Sequence, residues 1–287
     1  MSTHKKPLAL VTGATSGIGL AGAKELAKRN YQLVLAVRSK ERGKQAKAEI
    51  ESETPEAEVS LLHCNLSSFQ SITEATGEFK SQYDRLDVLI NNAGIWKTNR
   101  ELTEDGIELH FGVNHLAPFL MTLQLLELMK ESTPSRVVTT SSRAHESAVL
   151  KLDDLEGSER FRSYQAYGQS KLCNILFTRK LAEKFSGTGI TANCFHPGVV
   201  KTNLFSDFPL AGLLEMIAGL FMISPEKGAE TLVYLADSEE VDGVSGEYFV
   251  KKRVKRPNKA ARDSENADRL WEISMDYVSN YLPKTDF

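Results

Sequence analysis

Short apolar runs alternate along this chain with longer stretches in which apolar residues recur every three or four positions. Leu8-Ala9-Leu10-Val11 is the first such run and ends just before Thr12-Gly13. An unbroken run of this length suits a strand covered on both faces, where a half-exposed strand would alternate. Similar runs at 33–37, 59–64, 88–90, 136–140, 190–195 and 246–250 predict six more strands. Helical spacing is found between them, over 17–29, 40–53, 68–82, about 105–130, 164–185 and 225–236. In the first helix Ile18, Ala21, Ala23, Leu26 and Ala27 form the inner face; a last helix, about 262–282, turns Leu270, Ile273, Tyr277 and Val278 inward. Strands that alternate with helices of this length build right-handed βαβ units. The expected fold is therefore α/β in three layers, a doubly wound parallel sheet of about seven strands. No linker, repeat or low-complexity tract interrupts it, so one domain over 1–287 is expected, with the bulky apolar segment at about 203–224 as a short lid over the crevice.

Length and charge narrow the classes of function. A chain of 287 residues can bury a sizeable core, and a net charge of −3 argues against nucleic acid as a main partner. The chain opens Met1-Ser2-Thr3-His4-Lys5-Lys6 and enters a strand without an apolar leader, so a cytoplasmic protein is expected. The apolar stretch 208–223 carries Glu215 and falls short of the ~20 residues needed to span a bilayer. Peripheral membrane contact through it is the lesser expectation. The basic run Lys251-Lys252-Arg253-Val254-Lys255-Arg256 is expected as a solvated rim. Cys64, Cys173 and Cys194 have no metal-ligand spacing; they are expected as small buried hydrophobes, and no metal is expected. The sequence is compatible with either a monomer or a homo-oligomer.

Chemistry concentrates at the carboxyl ends of the predicted strands, where ligands bind in open α/β sheets. After the first strand comes Thr12-Gly13-Ala14-Thr15-Ser16-Gly17-Ile18-Gly19. Glycines there let the backbone turn tightly against a pyrophosphate, which the following helix N-terminus favours. At the end of the second strand, where a 2′-hydroxyl-binding site carries an acid, stand Val37 and Arg38, with Lys40 close by. A guanidinium can grip a 2′-phosphate through paired hydrogen bonds, so NADP(H) is the expected coenzyme and NAD(H) the less favoured one. In Asn91-Asn92-Ala93-Gly94 the glycine permits close approach to a dinucleotide and Asn92 can tie neighbouring strands, a structural role that stands beside a binding one.

Tyr167 and Lys171 lie four residues apart on one predicted helix, beyond Ser142 at the end of the fifth strand. Hydride transfer to a carbonyl creates an alkoxide that must be hydrogen-bonded and protonated. A phenol can supply the proton, and a nearby ammonium, with the positive oxidised nicotinamide, is expected to lower its pKa from about 10. Tyr164 is not in this position, because Gly168 stands four residues on. Ser142 can donate a second hydrogen bond to the substrate oxygen, and Lys171 is expected to hold the nicotinamide ribose. Asn114 alone would be an ordinary polar helix residue. His145 is expected at the substrate mouth or facing water.

The order of these motifs, with G-x-x-x-G-x-G as the glycine spacing, resembles the short-chain dehydrogenase/reductases over about residues 7–250. Val113-Asn114-His115-Leu116, Ser141-Ser142-Arg143-Ala144-His145 and His196-Pro197-Gly198 are similar to the branch of retinol dehydrogenases and the WW-domain oxidoreductase. The resemblance implies a Rossmann fold and an NADP(H)-dependent oxidoreductase for alcohols and carbonyls of retinoid, steroid or lipid-aldehyde type. It implies that Asn114 kinks its helix and holds a water that relays protons from Lys171. Where similar proteins carry an aspartate against adenine this chain has Asn65, followed by Leu66, which implies weaker adenine recognition. The turn Pro197-Gly198-Val199-Val200-Lys201-Thr202 would frame the nicotinamide through Val200 and reach a phosphate through Thr202, with His196 part of that turn. Two other readings keep the fold: an NADP(H)-sensing protein acting through a partner, and an epimerase or dehydratase. The set Ser142, Tyr167, Lys171 and Asn114 favours the enzyme, because a sensor needs no proton donor.

Overall fold

A computed structural model describes residues 6–200 and 223–282. The apolar runs form strands β1 (Leu8–Thr12), β2 (Gln32–Val37), β3 (Val59–His63), β4 (Val88–Asn91), β5 (Ser135–Thr140), β6 (Ile190–His196) and β7 (Tyr248–Val250), all within about two residues of their expected limits. The helices between them are α1 (Gly17–Lys28), α2 (Lys40–Glu53), α3 (Phe69–Gln82), α4 (Ala117–Glu131), α5 (Ser163–Lys184) and α6 (Pro225–Asp237), and α7 (Ser264–Val278) follows the sheet. With an eighth strand, β8 (Arg253–Val254), the order is β3-β2-β1-β4-β5-β6-β7-β8, parallel throughout except at the last pair. Alternate residues of β1 enter opposite cores. Leu8 and Leu10 join α3, α4, α5 and α7 on one face, while Ala9 and Val11 meet α1, α2 and α6 on the other. Both faces are therefore apolar, which is why these strands read as continuous runs.

The expected α/β fold with a doubly wound sheet is present, and the sheet has eight strands, mostly parallel, against about seven expected. The extra strand, β8 (Arg253–Val254), lies inside the basic run and pairs antiparallel with β7. Lys251 and Lys252 take left-handed φ of 52° and 61°, which folds the chain straight back. Lysine gives no warning of such a turn in sequence, and an exposed two-residue edge strand has no apolar pattern.

The helix expected over 105–130 is in fact composite. It opens as one turn, Leu109–Phe111, continues as a π turn, Gly112–Leu116, and then becomes α4. Glu108 sets the later start by capping with its carboxylate the amides of His110 and Phe111. Ala117 N donates to Gly112 O five residues back, and Pro118 has no N–H with which to resume the ordinary ladder at once. The last expected helix is also shorter: α7 is followed by a 3-10 turn, Ser279–Tyr281. Thr202 and the expected lid up to residue 222 lie outside the described residues.

Helix α7 covers α4 and α5. Trp271 sits edge-on to Phe119 at 5.0 Å and beside Phe177 at 6.2 Å, and His115 Nε2 pairs with Ser274 Oγ at 2.9 Å. All three cysteines are buried and unbridged; burial pushes the Cys64 and Cys194 thiols up to about 12 and raises Cys173 as well. No helix among the described residues is long and apolar enough to cross a membrane.

Burial holds His115 uncharged, with a pKa lowered from 6.5 to about 3. The unfolded chain therefore binds a proton that the folded one refuses between those values, and stability falls as pH drops below 6.5. One such group contributes up to about 1.4 kcal/mol per pH unit until about pH 3. His115→Leu should flatten part of this slope, since Ser274 Oγ keeps its bond to Leu270 O. Urea midpoints from pH 7 to 4 for both proteins check it, and parallel slopes would mean that His115 is not held neutral.

Candidate active site

Strand order reverses between β1 and β4, and the crevice at that point is a cavity of about 1110 Å³. Asn92 and Thr12 build its floor. Thr12 Oγ1 accepts from the amides of Asn92 and Ala93 and donates to Ile90 O. The Asn92 amide nitrogen donates to Thr12 O and Gly13 O, and its oxygen accepts from Thr140 Oγ1 at 3.2 Å. The strand-tying role expected of Asn92 is thus present across β1, β4 and β5.

Gly13, Thr15, Ser16, Gly17, Ile18 and Gly19 all line the cavity. Gly13 and Gly17 have φ of 68° and 54°, and a Cβ at Gly19 would stand 2.2 Å from Gly13 O. Any larger residue at 19 would therefore push the turn away from α1. Ser16, in extended conformation before α1, makes no side-chain cap, so the first-turn amides face the cavity with no such partner. Arg38 lines the same cavity together with Ser39 and Arg42, two residues that the sequence reading missed. Ser39 Oγ caps α2 at the Arg42 amide, which places Arg42 one turn in, beside Arg38. The signal was there, a cation four residues beyond Arg38 at a helix start.

Asn65 and Leu66 also line the cavity. The Asn65 oxygen accepts from Ser67 N and Oγ, and its nitrogen donates to Glu104 Oε1 at 2.7 Å. The oxygen expected to face adenine is thus turned into a local loop.

Ser142, Tyr167 and Lys171 come together on the other side, with Ala93 and Gly94. Lys171 is buried; its Nζ donates to Thr140 O at 3.2 Å and lies 5.9 Å from the centre of the Tyr167 ring. A Cβ on Gly94 would come within 3.1 Å of that Nζ. Burial pushes the Tyr167 phenol up to about 12, against a hydrogen bond with Ser142 that pulls it down. Burial also lowers Lys171 to about 8. The expected depression of the phenol therefore does not come from the protein alone: desolvation outweighs the Ser142 hydrogen bond.

Asn114 sits in the π turn, as the expected kink implies, but outside the cavity lining. Its oxygen accepts from Ile95 N at 2.8 Å, and its nitrogen donates to Ile95 O and to Ser170 Oγ, each at 3.0 Å. Ser170 Oγ in turn donates to Tyr167 O at 2.7 Å. The side chain is engaged with protein on every side where a water relay was expected.

Pro197, Gly198 and Val200 line the cavity after β6, Gly198 with φ of 100°. His196 belongs to this turn; its Nδ1 accepts from Arg143 N, and burial lowers its pKa to about 4. His145 is neither at the mouth nor in water. It is fully buried, pairs through Nδ1 with Ser142 O at 2.6 Å and packs edge-on against Tyr248. Further aromatic lining comes from Tyr164, set aside above as the proton donor, and from Trp96, which no sequence motif marked. Tyr164 stands one turn before Tyr167, and Trp96 two residues beyond Gly94, close enough to that motif to carry a signal.

Comparison with known proteins agrees with this geometry. The family model described as short chain dehydrogenase matches residues 7–210. Retinol dehydrogenase 12 of Mus musculus is 40% identical over 269 residues, covering 94% of this chain and 85% of that protein. Retinol dehydrogenase 13 of Homo sapiens is 41% identical over 281 residues, covering 96% and 85%. The crystal structure of an uncharacterized protein from Mycobacterium paratuberculosis matches with a TM-score of 0.77 at 31% identity, covering 95% of this chain and 93% of that one. These likenesses define an oxidoreductase that interconverts alcohols and carbonyls. The chain belongs to the short chain dehydrogenase family, and within it is similar to the retinol dehydrogenases.

Asn114→Ala removes the acceptor of Ile95 N and leaves Ile95 O and Ser170 short of a donor. Unmade buried bonds cost about 1–3 kcal/mol each, so an unfolding free energy lower by at least an amount in this range is expected, seen as a lower denaturant midpoint. A midpoint within error of the parent would show that Asn114 does not hold the 92–97 segment.

Proposed function

We propose that this protein is an NADP(H)-dependent oxidoreductase that interconverts an apolar aldehyde or ketone and its alcohol, with Tyr167 as proton donor and acceptor. The observation that carries this reading is the meeting, in one cavity, of the Tyr167 hydroxyl, the Ser142 hydroxyl and the buried Lys171 ammonium with a glycine turn at a helix N-terminus. The cavity residues fit a dinucleotide. Gly13 and Gly19 have no room for a Cβ, α1 offers first-turn amides to a pyrophosphate, and Arg38, Ser39 and Arg42 supply two cations and a hydroxyl for a 2′-phosphate. When bound, the coenzyme supplies or takes the hydride.

The residues of the chain do the rest. Ser142 and Tyr167 donate hydrogen bonds to the substrate oxygen, and the phenol gives up its proton as negative charge grows there. Below about pH 8 Lys171 is an ammonium; its position beside Gly94 and behind Tyr167 stabilises a phenolate once water is excluded. His145 orients Ser142 from behind through its carbonyl, and Asn114 fixes Ile95 and Ser170 around Tyr167. Ile95, Trp96, Leu109, Val113, Tyr164 and Val199 give that end of the cavity an apolar wall beside Lys97, Arg143, Glu146 and Ser147, which supports a largely apolar substrate.

Tyr167→Phe keeps the ring and removes the proton. The expected result is kcat lower by about 10²–10⁴ with NADPH binding, read by fluorescence, within about twofold of the parent. A variant that retains most of kcat would sink the assignment. Arg38→Asp should lower the NADPH-to-NADH ratio of kcat/KM by roughly tenfold or more, because it replaces a paired donor with a repelling charge. An unchanged ratio would return the choice to NAD(H).

A further inference from the structure

Trp96 lies in the segment that leaves β4, and its surroundings hold it unusually firmly for a loop residue. Its indole is stacked on the Tyr167 ring, centroids 4.7 Å apart and planes 8° from parallel, and lies 5.7 Å from Tyr164. Trp96 Nε1 donates to Ser163 Oγ at 2.8 Å, and the same hydroxyl donates to Lys97 O at 2.5 Å. On the other side Lys97 N donates to His110 Nε2 at 2.9 Å. His110 and Glu108 are fully buried and joined, His110 Nδ1 to Glu108 Oε1, at 2.6 Å. That contact puts the ring proton on Nδ1 and leaves Nε2 free to accept from Lys97. Glu108 is anchored in turn through its own amide to Glu156 Oε2, whose other oxygen accepts from Tyr277 of α7.

A buried acid and histidine that contact no ligand space, yet fix one backbone amide beside Tyr167, need a reason. The geometry points to Trp96 as a specificity-determining residue of the carbonyl site, with Glu108, His110 and Ser163 as its positioning residues. This rests on the oxidoreductase reading above. Trp96 and Tyr164 line the cavity next to the reacting hydroxyl, so a substrate whose carbonyl meets Tyr167 must lie along this aromatic wall. Tyr167 covers one face of the indole; the other, held in advance, favours a flat aromatic group carried a few bonds from the carbonyl over a saturated ring of the same carbon count, which cannot stack. The preference falls through Trp96 itself, and through His110 only because it keeps Trp96 in place.

3-Phenylpropanal and 3-cyclohexylpropanal share a carbon skeleton and differ in the flatness of the ring, and the two-carbon link lets the ring reach that face while the carbonyl meets Tyr167. The test is the ratio of their kcat/KM values with NADPH for the parent and for W96F, W96L, H110L and H110Q. W96L should reduce the preference for 3-phenylpropanal by roughly three- to tenfold, the size of a stacking contact, and W96F should keep most of it. H110L should reduce it as well, whereas H110Q should restore it, because a glutamine oxygen can accept from Lys97 N. A ratio within twofold of the parent in W96L, or equal ratios for H110L and H110Q, overturns the proposal. Failure of the parent to reduce either aldehyde would tell against the oxidoreductase reading, and binding then judges the wall by itself. The chain has two tryptophans, so the emission lost in W96F reports Trp96. Saturable quenching of that component by 3-phenylpropan-1-ol and not by 3-cyclohexylpropan-1-ol supports the wall; equal quenching, or none, overturns it.

Discussion

The knot of hydrogen bonds that Thr12 and Asn92 tie across the ends of β1, β4 and β5 is the constraint on which the rest depends. In a sheet covered on both faces the open ground for chemistry is where strand order reverses, and there the neighbouring loops diverge. Without a tie, that point would be the loosest in the fold. Here one threonine hydroxyl and one amide side chain satisfy the main chain of both diverging strands. The glycine turn is therefore held against Ala93, and the segment that carries Trp96 starts from a fixed place. Preorganisation of the site begins in the sheet.

A second tier repeats the device one layer out. The π turn presents Asn114 to Ile95, Glu108 caps the helix start, and His110 meets Lys97 two residues further along. The loop after β4 is thus held at alternate residues, Ile95 and Lys97, by two side chains from a single short stretch, with Glu108 fixing one of them. An uninterrupted α-helix would give these side chains different bearings, and Pro118 is part of what prevents it. The irregularity in the helix and the regularity of the site share a cause.

The fold was legible because its signal is collective: continuous apolar strands and amphipathic helices come out within a few residues of their observed ends. The glycines, Ser142, Tyr167 and Lys171 were legible for a related reason, since local spacing fixes their place relative to strand ends. Other features needed tertiary information. His145 looked like a mouth residue because sequence shows its distance from Ser142 and hides the Tyr248 ring that covers it. Asn65 looked like an adenine contact, but Glu104 and Ser67 claim its amide from a loop nearly forty residues away and from the next turn. The edge strand at Arg253 depends on two lysines in a conformation their side chains disfavour. Desolvation was the hardest to foresee. Charge proximity can be read along a helix, whereas the loss of water around Tyr167 and Lys171 depends on everything packed over them, and it reverses the sign of the shift on the phenol.

The same exclusion of water has a consequence for the sulfur chemistry of the molecule. Cys64, Cys173 and Cys194 are all buried in the core that α3, α4, α5 and α7 cover, and carry almost no thiolate at neutral pH. The native state is therefore shielded from alkylating agents and peroxide at these sites, and each thiol becomes reactive when the packing around it opens. Labelling rates then act as an internal clock for breathing of the fold on that one face of the sheet.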